Sequence, residues 1–377
     1  MDLLLKQPVR PVVSIIVPAR NEEACVGLCV ESLTTQAGIP FEIIVVDDGS
    51  TDRTREIAES FSGVCVIDAG LLPPNWTGKN HAMAAGAAVA KGEWLLFTDA
   101  DTVHNPESLA RAVAEAERNG AALLSYSPEQ EVRGFWEKAL MPVVFAELAA
   151  AFRPSEVSDP AWPAAAANGQ YLLISREAYD AVGGHATVAV SLLEDVDLAR
   201  VVKASGRKIF FRYGGEAVRT RMYRNFGQLR EGWTKNLALL FPASLKLAAL
   251  RFGEFVVIAG CAISAGILAF RGALFPAIFV GGVALTLCSR FLMRIRRAHF
   301  SWNANALAIF GLPLFSYLLL RSRIRHRRGN VNWKGRTYHP SSNARMSRVG
   351  AGPHLPSRGK VGTTVSVTEG IIHADTN

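Results

Sequence analysis

At 377 residues with a formal net charge of +8, the chain has room for one large domain and an appendage. Its charge is uneven: between Glu254 and Glu369 stand 16 Lys and Arg and no Asp or Glu, leaving the first 254 residues at −6. Basic residues that flank long apolar stretches suit an anionic membrane surface and argue against nucleic acid as the partner.

Residues 12–17 form an apolar, β-branched run ended by Pro18 and predict a strand, with Asn21 placed to cap a helix over 22–36. Residues 41–46 predict a second strand. Gly49-Ser50 then turns the chain into a helix over 51–61 that Ser50 is placed to cap, and residues 64–67 predict a third strand. Beyond the Pro73-Pro74 loop, small residues predict a helix near 79–90 and residues 93–98 a fourth strand. This order implies a parallel sheet with right-handed crossovers. Residues 139–152 read as an apolar helix interrupted by Pro142 and carrying Glu147; it is short for a bilayer and expected to be buried or to touch the membrane. Strands are predicted at 170–175 and 206–213, with a helix at 196–204.

Apolar runs at 255–270, 272–289 and 303–320 are each near the ~20-residue spanning length and predict membrane helices. Arg290, Arg294, Arg296 and Arg297 follow the second run, and five arginines within 321–328 follow the third. The positive-inside rule wants both clusters in the cytoplasm, which three full spans from a cytoplasmic domain forbid. Either the third run is re-entrant, broken at Gly311-Leu312-Pro313, or the segment before Glu254 also spans. No secretory signal opens the chain, so the catalytic half is expected in the cytoplasm of a multi-pass inner-membrane protein. Five cysteines form no zinc pattern and read as thiols of a reducing compartment. From about residue 341 the tail is Ser-, Gly-, Pro- and Arg-rich without periodicity and is expected to be disordered. The expected domains are 1–240 (catalytic), 241–328 (membrane-associated helices) and 329–377 (a basic, largely disordered tail).

Three acidic clusters carry the chemistry: Asp47-Asp48, Asp99-Ala100-Asp101 and Glu194-Asp195. The first two follow apolar strands, whose carboxyl ends are where open α/β sheets bind ligands. Carboxylates converging there repel one another unless a cation lies between them, and a divalent metal carrying a diphosphate satisfies that need. A nicotinamide site would need Gly-x-Gly-x-x-Gly after the first strand, where Pro18-Ala-Arg-Asn-Glu-Glu stands instead.

The stretch Val13-Ser-Ile-Ile-Val-Pro-Ala-Arg-Asn-Glu-Glu23, followed by Val45-Val-Asp-Asp-Gly-Ser-Thr-Asp52, resembles the family 2 glycosyltransferases, over roughly residues 12–240. The resemblance implies an α/β GT-A fold with a mostly parallel, Rossmann-like sheet. It implies that Pro18, Ala19 and Glu22 line a nucleotide pocket and that Asp47 and Asp48 hold base and ribose. Asp99-Ala100-Asp101 resembles the family's Asp-x-Asp signature, with Asp101 the more direct ligand of Mg2+ or Mn2+ and Asp99 nearer the ribose. Lys79, in Trp76-Thr-Gly-Lys-Asn80, is a candidate for donor binding; a lone His81 reads as structural. Asn168 and Gly184 resemble acceptor-side loop residues. Asp195, with Glu194 before it, is the implied catalytic base.

Polymerising members carry Gln-x-x-Arg-Trp, whereas Gly232 stands before Trp233 here, which disfavours chain elongation. Trp233 remains a candidate stacking platform for the acceptor, and Arg230 or Lys235 for approach to the diphosphate. Gly232-Trp-Thr-Lys-Asn236, the apolar tail and Asn332-Trp-Lys-Gly-Arg-Thr-Tyr338 resemble the branch that glycosylates isoprenoid lipids. The expectation is transfer of one sugar from a nucleotide-sugar donor, UDP-linked, to a membrane lipid. A processive polysaccharide synthase is the alternative, and a membrane scaffold that kept only the nucleotide fold would not need Glu194-Asp195.

Overall fold

The computed structural model describes residues 11–338. The predicted disordered tail from 341 lies outside the described residues. In chain order the first half contains Val13–Ala19 (β1), Val26–Thr34 (α1), Phe41–Asp47 (β2), Thr54–Glu59 (α2), Val64–Asp68 (β3), Gly78–Val89 (α3), Trp94–Phe97 (β4), Thr102–His104 (β5), Ser108–Arg118 (α4), Leu123–Ser127 (β6) and Glu129–Gln130 (β7). Phe135–Ala151 (α5), Pro154–Ser158 (α6), Leu172–Ser175 (β8), Arg176–Ala181 (α7), Glu194–Ala204 (α8), Ile209–Tyr213 (β9) and Val218–Thr220 (β10) follow. The remainder is Phe226–Leu240 (α9), Ser244–Phe270 (α10), Leu274–Ile295 (α11), Trp302–Leu307 (α12), Gly311–Arg327 (α13), Val331–Trp333 (β11) and Arg336–Tyr338 (β12).

Seven strands form one sheet in the order β3-β2-β1-β4-β8-β6-β9, and β5, β10 and β7 form a small second sheet. β1, β2 and β4 are parallel and in register, Ala19 opposite Asp47 and Ile16 opposite Phe97. Their carboxyl ends therefore emerge along one edge. Aliphatic residues cover both faces of the sheet: α1 and α4 pack on one side around Leu33 and Tyr171, α3 and α8 on the other around Met83 and Leu198. Both faces being covered is why the strands read as continuous apolar runs rather than alternating ones.

The sheet is mostly parallel, as expected; the exception is β8, which runs antiparallel to both β4 and β6 (Phe97 opposite Leu172). This reversal has a functional consequence. A reversed strand begins where its neighbours end, so the loop before β8 is delivered to the same edge as the residues after β4. The Thr98 hydroxyl donates to the Gln170 carbonyl there at 2.8 Å.

Two predicted caps are corrected. Asn21 does not start α1, which begins at Val26; it sits in the left-handed region (φ 53) and its Oδ1 accepts from the Thr51 amide at 2.9 Å. Ser50 does not cap α2; its hydroxyl accepts from the Asn21 amide, and Asp52 Oδ1 takes the Thr54 amide at 3.0 Å. These polar side chains tie the loop after β1 to the loop after β2, fixing the edge that carries Glu22 and Asp48.

A third core joins α5, α9 and α13 through Leu140, Val144, Leu237, Phe315 and Leu319. Each fully buried Leu or Phe of this kind contributes about 1.5–3 kcal/mol of hydrophobic stabilisation. Among the described residues three helices are long and apolar enough to cross a membrane: Ser244–Phe270, Leu274–Ala298 and Trp302–Arg327. They differ sharply in what covers them. Only 6% and 17% of the most apolar windows of the first two are buried within the protein, against 50% for the third. The third is interrupted by a 3-10 turn at Ala308–Phe310, just before Gly311, whose Cβ, if present, would lie 1.9 Å from the Ala139 carbonyl oxygen on α5. Glu147 on α5 pairs with Arg251 at 2.8 Å, and Glu254 pairs with Arg294 of α11 at 2.8 Å. These mostly buried ion pairs lock the lower part of the α10–α11 hairpin to the helical layer.

Candidate active site

Lys79 is the hub of the acidic edge. Thr77 caps α3, its hydroxyl accepting from the Asn80 amide, and so holds Lys79 in the first turn. Its Nζ lies 2.7 Å from both Asp99 Oδ1, just past β4, and Glu194 Oε1, at the start of α8. Burial disfavours the charge on Lys79, but Asp99, Glu194 and Asp195 outweigh it and hold the ammonium well above its ordinary value. Burial likewise opposes ionisation of Glu194, and the neighbouring Lys79 reverses this, drawing it below the usual carboxylate range.

Asp195 is held differently. Its Oδ2 accepts from the Gly169 amide and its Oδ1 from the Val196 amide, both at 2.8 Å. Burial and the Glu194 charge raise it to about 6, although Lys79 and these amides favour its charged form. A Cβ on Gly169 would lie 3.1 Å from Lys79 Nζ and 3.5 Å from Asp195 Oδ2, so the reversed entry into β8 puts bare backbone against the acidic pair. Asn168 organises that loop: its Oδ1 accepts from the Gln170 amide at 3.0 Å and its own amide donates to Ser125.

Asp101 is the carboxylate left without company. Its Oδ1 is buried and accepts no hydrogen bond. Burial, with Asp99 and Glu22 nearby, pushes it up to about 7 against the opposing pull of Lys334 and Lys79. Among the described residues no three His, Cys, Asp or Glu side chains gather closely enough to enclose an ion. One or two hard carboxylate oxygens beside a diphosphate are the donor set that Mg2+ or Mn2+ takes in open sites, and an orphaned buried oxygen fits that need.

At the other end, Asp47 is buried at the close of β2, its Oδ1 accepting from the Ser50 amide at 3.3 Å. Asp48 is paired with Arg336, whose Nη2 donates to Oδ1 at 2.9 Å, and Glu22 accepts from Lys334 and from the Cys25 thiol. Pro18 and Ala19 close β1 beside them, and the Ala19 carbonyl accepts from the Asp48 amide. A Cβ on Gly78 would fall 2.4 Å from Asp48 Oδ2, while the next residue, Lys79, touches Asp99 and Glu194. Asp48, Asp99, Glu194 and Asp195 are thus brought together around Gly78 and Lys79, and Asp101 lies within electrostatic reach of Lys79 and Glu22.

Two expectations change. Trp233 is only 2% exposed, its ring packed edge-on against Tyr223 and Phe145, so it lacks the open face a stacking platform requires. Gly184 serves the fold rather than close approach to a sugar: it has φ 53, and a Cβ there would lie 2.5 Å from the Tyr179 ring, whose hydroxyl bonds His185 Nδ1 at 2.9 Å. Gly232 is held to glycine by packing, since a Cβ there would meet the Tyr223 ring at 2.5 Å. Sequence reasoning missed Lys334 and Arg336 as partners of Glu22 and Asp48. The Lys-Gly-Arg run inside an otherwise basic tail was the available signal for both.

A nucleotide-type α/β sheet with carboxylates gathered at its carboxyl edge, joined to helices apolar enough to cross a membrane, has the architecture of a sugar transferase of GT-A fold. Residues 14–183 match the family model described as Glycosyl transferase family 2. The chain is 28% identical over 342 residues to the 4,4'-diaponeurosporenoate glycosyltransferase of Staphylococcus aureus strain USA300, covering 86% of this chain and 88% of that one. The protein of the same description from strain MRSA252 is 29% identical with the same coverage. In fold the chain is similar to the mannosyltransferase PcManGT from Pyrobaculum calidifontis, solved in complex with GDP-Man and Mn2+, with a TM-score of 0.51 at 18% identity over 84% of this chain and 87% of that one. Residues 14–183 are thus a glycosyl transferase family 2 domain.

Proposed function

We propose that the enzyme moves one sugar, with inversion, from a UDP-linked donor to the hydroxyl of an isoprenoid-type membrane lipid. One observation carries the proposal: Lys79 joins the donor-side carboxylate Asp99 to Glu194, beside Asp195, so donor and base groups share one cleft. Asp47 and Asp48 accept from uracil and ribose donors. Asp195 takes the acceptor's proton; the freed oxygen bonds to the sugar's anomeric carbon as the bond to the diphosphate breaks, and the nucleoside diphosphate leaves with the electron pair. A base that operates near pH 7 needs a value close to that, which the upward shift of Asp195 to about 6 supplies. Asp101 and Asp99 are the residues that would hold Mg2+ or Mn2+, which when bound supplies positive charge to the departing diphosphate.

The isoprenoid acceptor is supported by the activity for which the Staphylococcus aureus relatives are named and by exposed apolar helices next to the catalytic half. In this reading α10 and α11 cross the bilayer as a hairpin while the half-buried third helix stays with the protein body. Two crossings return the chain to the side it started from, so the arginines after α11 and those after residue 320 both face the cytoplasm with the catalytic half. The runner-up, a processive synthase, is disfavoured by Gly232 and the Tyr223 ring that fills the place of an arginine.

Mass spectrometry of lipid extracts from cells with and without the gene tests the assignment. One lipid heavier by a single hexose is expected, and a ladder of products from radiolabelled donor would favour the synthase instead. Full transfer by both Asp101→Ala and Asp195→Asn in purified form would remove the assignment of the site.

A further inference from the structure

The structure assigns Lys334 and Arg336, on a hairpin far downstream of the sheet, to the donor's diphosphate. This rests on reading the acidic cleft as the nucleotide-sugar site and adds two ligands to it. β11 and β12 pair antiparallel with Trp333 opposite Arg336, leaving the two-residue turn Lys334-Gly335. Both turn residues have positive φ, 45 and 76. That is the geometry of the tight turn whose twist matches paired strands, and it needs glycine at the second position.

The hairpin is anchored, not loose. Val331 is 2% exposed, Trp333 packs against the helical layer, and Lys235 Nζ sits 5.3 Å from the centre of the Trp333 ring. From this base the tip reaches more than 280 positions back along the chain. Lys334 pairs with Glu22 and its Nζ lies 3.4 Å from the Arg20 carbonyl, while Arg336 grips Asp48 with both terminal nitrogens. The surface opposite is shaped for it: a Cβ on Gly78 would lie 1.5 Å from Arg336 Nη1, so only glycine leaves room for the guanidinium at the start of α3.

Charge gives the hairpin its use. Glu22, Asp48, Asp99, Asp101, Glu194 and Asp195 are six carboxylates, and before the hairpin the chain brings Lys79 and Lys235 to them. A diphosphate entering such a cleft is repelled. Lys334 and Arg336 bring two more positive charges, on side chains long enough to turn from the carboxylates to phosphate oxygens while the hairpin stays anchored. As they do so, Asp48 is released for the ribose. Arginine's planar fork suits two phosphate oxygens at once, and lysine's point charge is less demanding of direction.

Calorimetry on the full chain in detergent, with Mn2+ present, compares UDP with uridine as probes, and GDP with guanosine as a second pair. Losing one charge-assisted contact worth about 1.5–3 kcal/mol weakens binding about 10- to 150-fold. Arg336→Ala and Lys334→Ala should each weaken the diphosphate by such a factor and leave the nucleoside unchanged or tighter. Arg336→Lys should fall between, because it keeps the charge and loses the fork. A misfolded variant would lose nucleoside and diphosphate together, and melting curves report it independently. Variants that bind UDP or GDP as tightly as wild type, or that lose both probes of a pair equally, overturn the assignment. Wild type that binds neither diphosphate would instead sink the donor-site reading on which it stands.

Discussion

Replacing Lys79 with methionine keeps much of the side chain's volume and removes the cation between Asp99 and Glu194. Both contacts are 2.7 Å, but the two acids are not equally dependent on it: 28% of the Asp99 side chain is exposed and only 7% of the Glu194 side chain. Water can take over at Asp99, where the loss is at most about 1 kcal/mol. At Glu194 an uncompensated buried charge costs about 3–5 kcal/mol. Protonation offers Glu194 an escape, and its cost sets a ceiling. From an unfolded value of about 4.3, protonation at pH 7 costs about 3.7 kcal/mol and at pH 5.5 about 1.6 kcal/mol, at 1.36 kcal/mol per unit. In the variant the folded-state value of Glu194 is raised above the unfolded one, so the folded form gains the proton. Its deficit against wild type, where Lys79 depresses the same group, therefore grows as pH rises. At about 2–4 °C per kcal/mol the variant should melt about 7–15 °C below wild type at pH 7 and about 3–6 °C below it at pH 5.5. Thermal melts of metal-free protein in detergent at the two pH values measure this. A gap under about 1 °C, or one of equal size at both pH values, would refute the account of Lys79 as the cation that lets Glu194 ionise.

Asp195→Asn should lower kcat by about 10²–10⁴ while UDP binding stays near wild type, since the amide keeps the shape and loses the base. In wild type with saturating metal, kcat/KM should fall as pH drops below about 6, because protonation of Asp195 removes the acceptor of the proton. A flat profile from pH 5 to 8 speaks against this residue. Gly232→Arg, which restores the residue of polymerising relatives, should destabilise by about 1–3 kcal/mol through collision with Tyr223, and Tyr223→Ala in the same chain should recover part of the loss. Equal melting of Gly232→Arg and wild type would show that the ring yields freely. A cysteine at Gly272 in a cysteine-free background should be labelled from outside intact cells, and one at Ser301 only after permeabilisation. Outside labelling at Ser301 would exclude the two-crossing hairpin.

Much of the fold is local and was legible in the chain. The runs around Ile15, Ile44 and Leu96 become buried parallel strands because β-branched and aliphatic residues covered on both faces leave a continuous apolar signature, and Asp48 and Asp99 lie where two of those patterns end. The departure at Gly232 was visible as well, although the Tyr223 ring packed against it was not. Side-chain placement was less accessible: Trp233 and Gly184 look the same in sequence whether they face a ligand or a packed core.

Sequence by itself determined the strand edge, the acidic clusters along it and the apolar helices that follow, since periodicity, turn chemistry and charge are written between neighbours. Only the tertiary structure decided that β8 is reversed, that half of the third apolar helix is covered by protein, and that Lys334 and Arg336 return to Glu22 and Asp48. Each of these depends on which distant surface a segment meets. That choice is made by packing and charge over hundreds of residues and leaves no periodic trace in the segment itself.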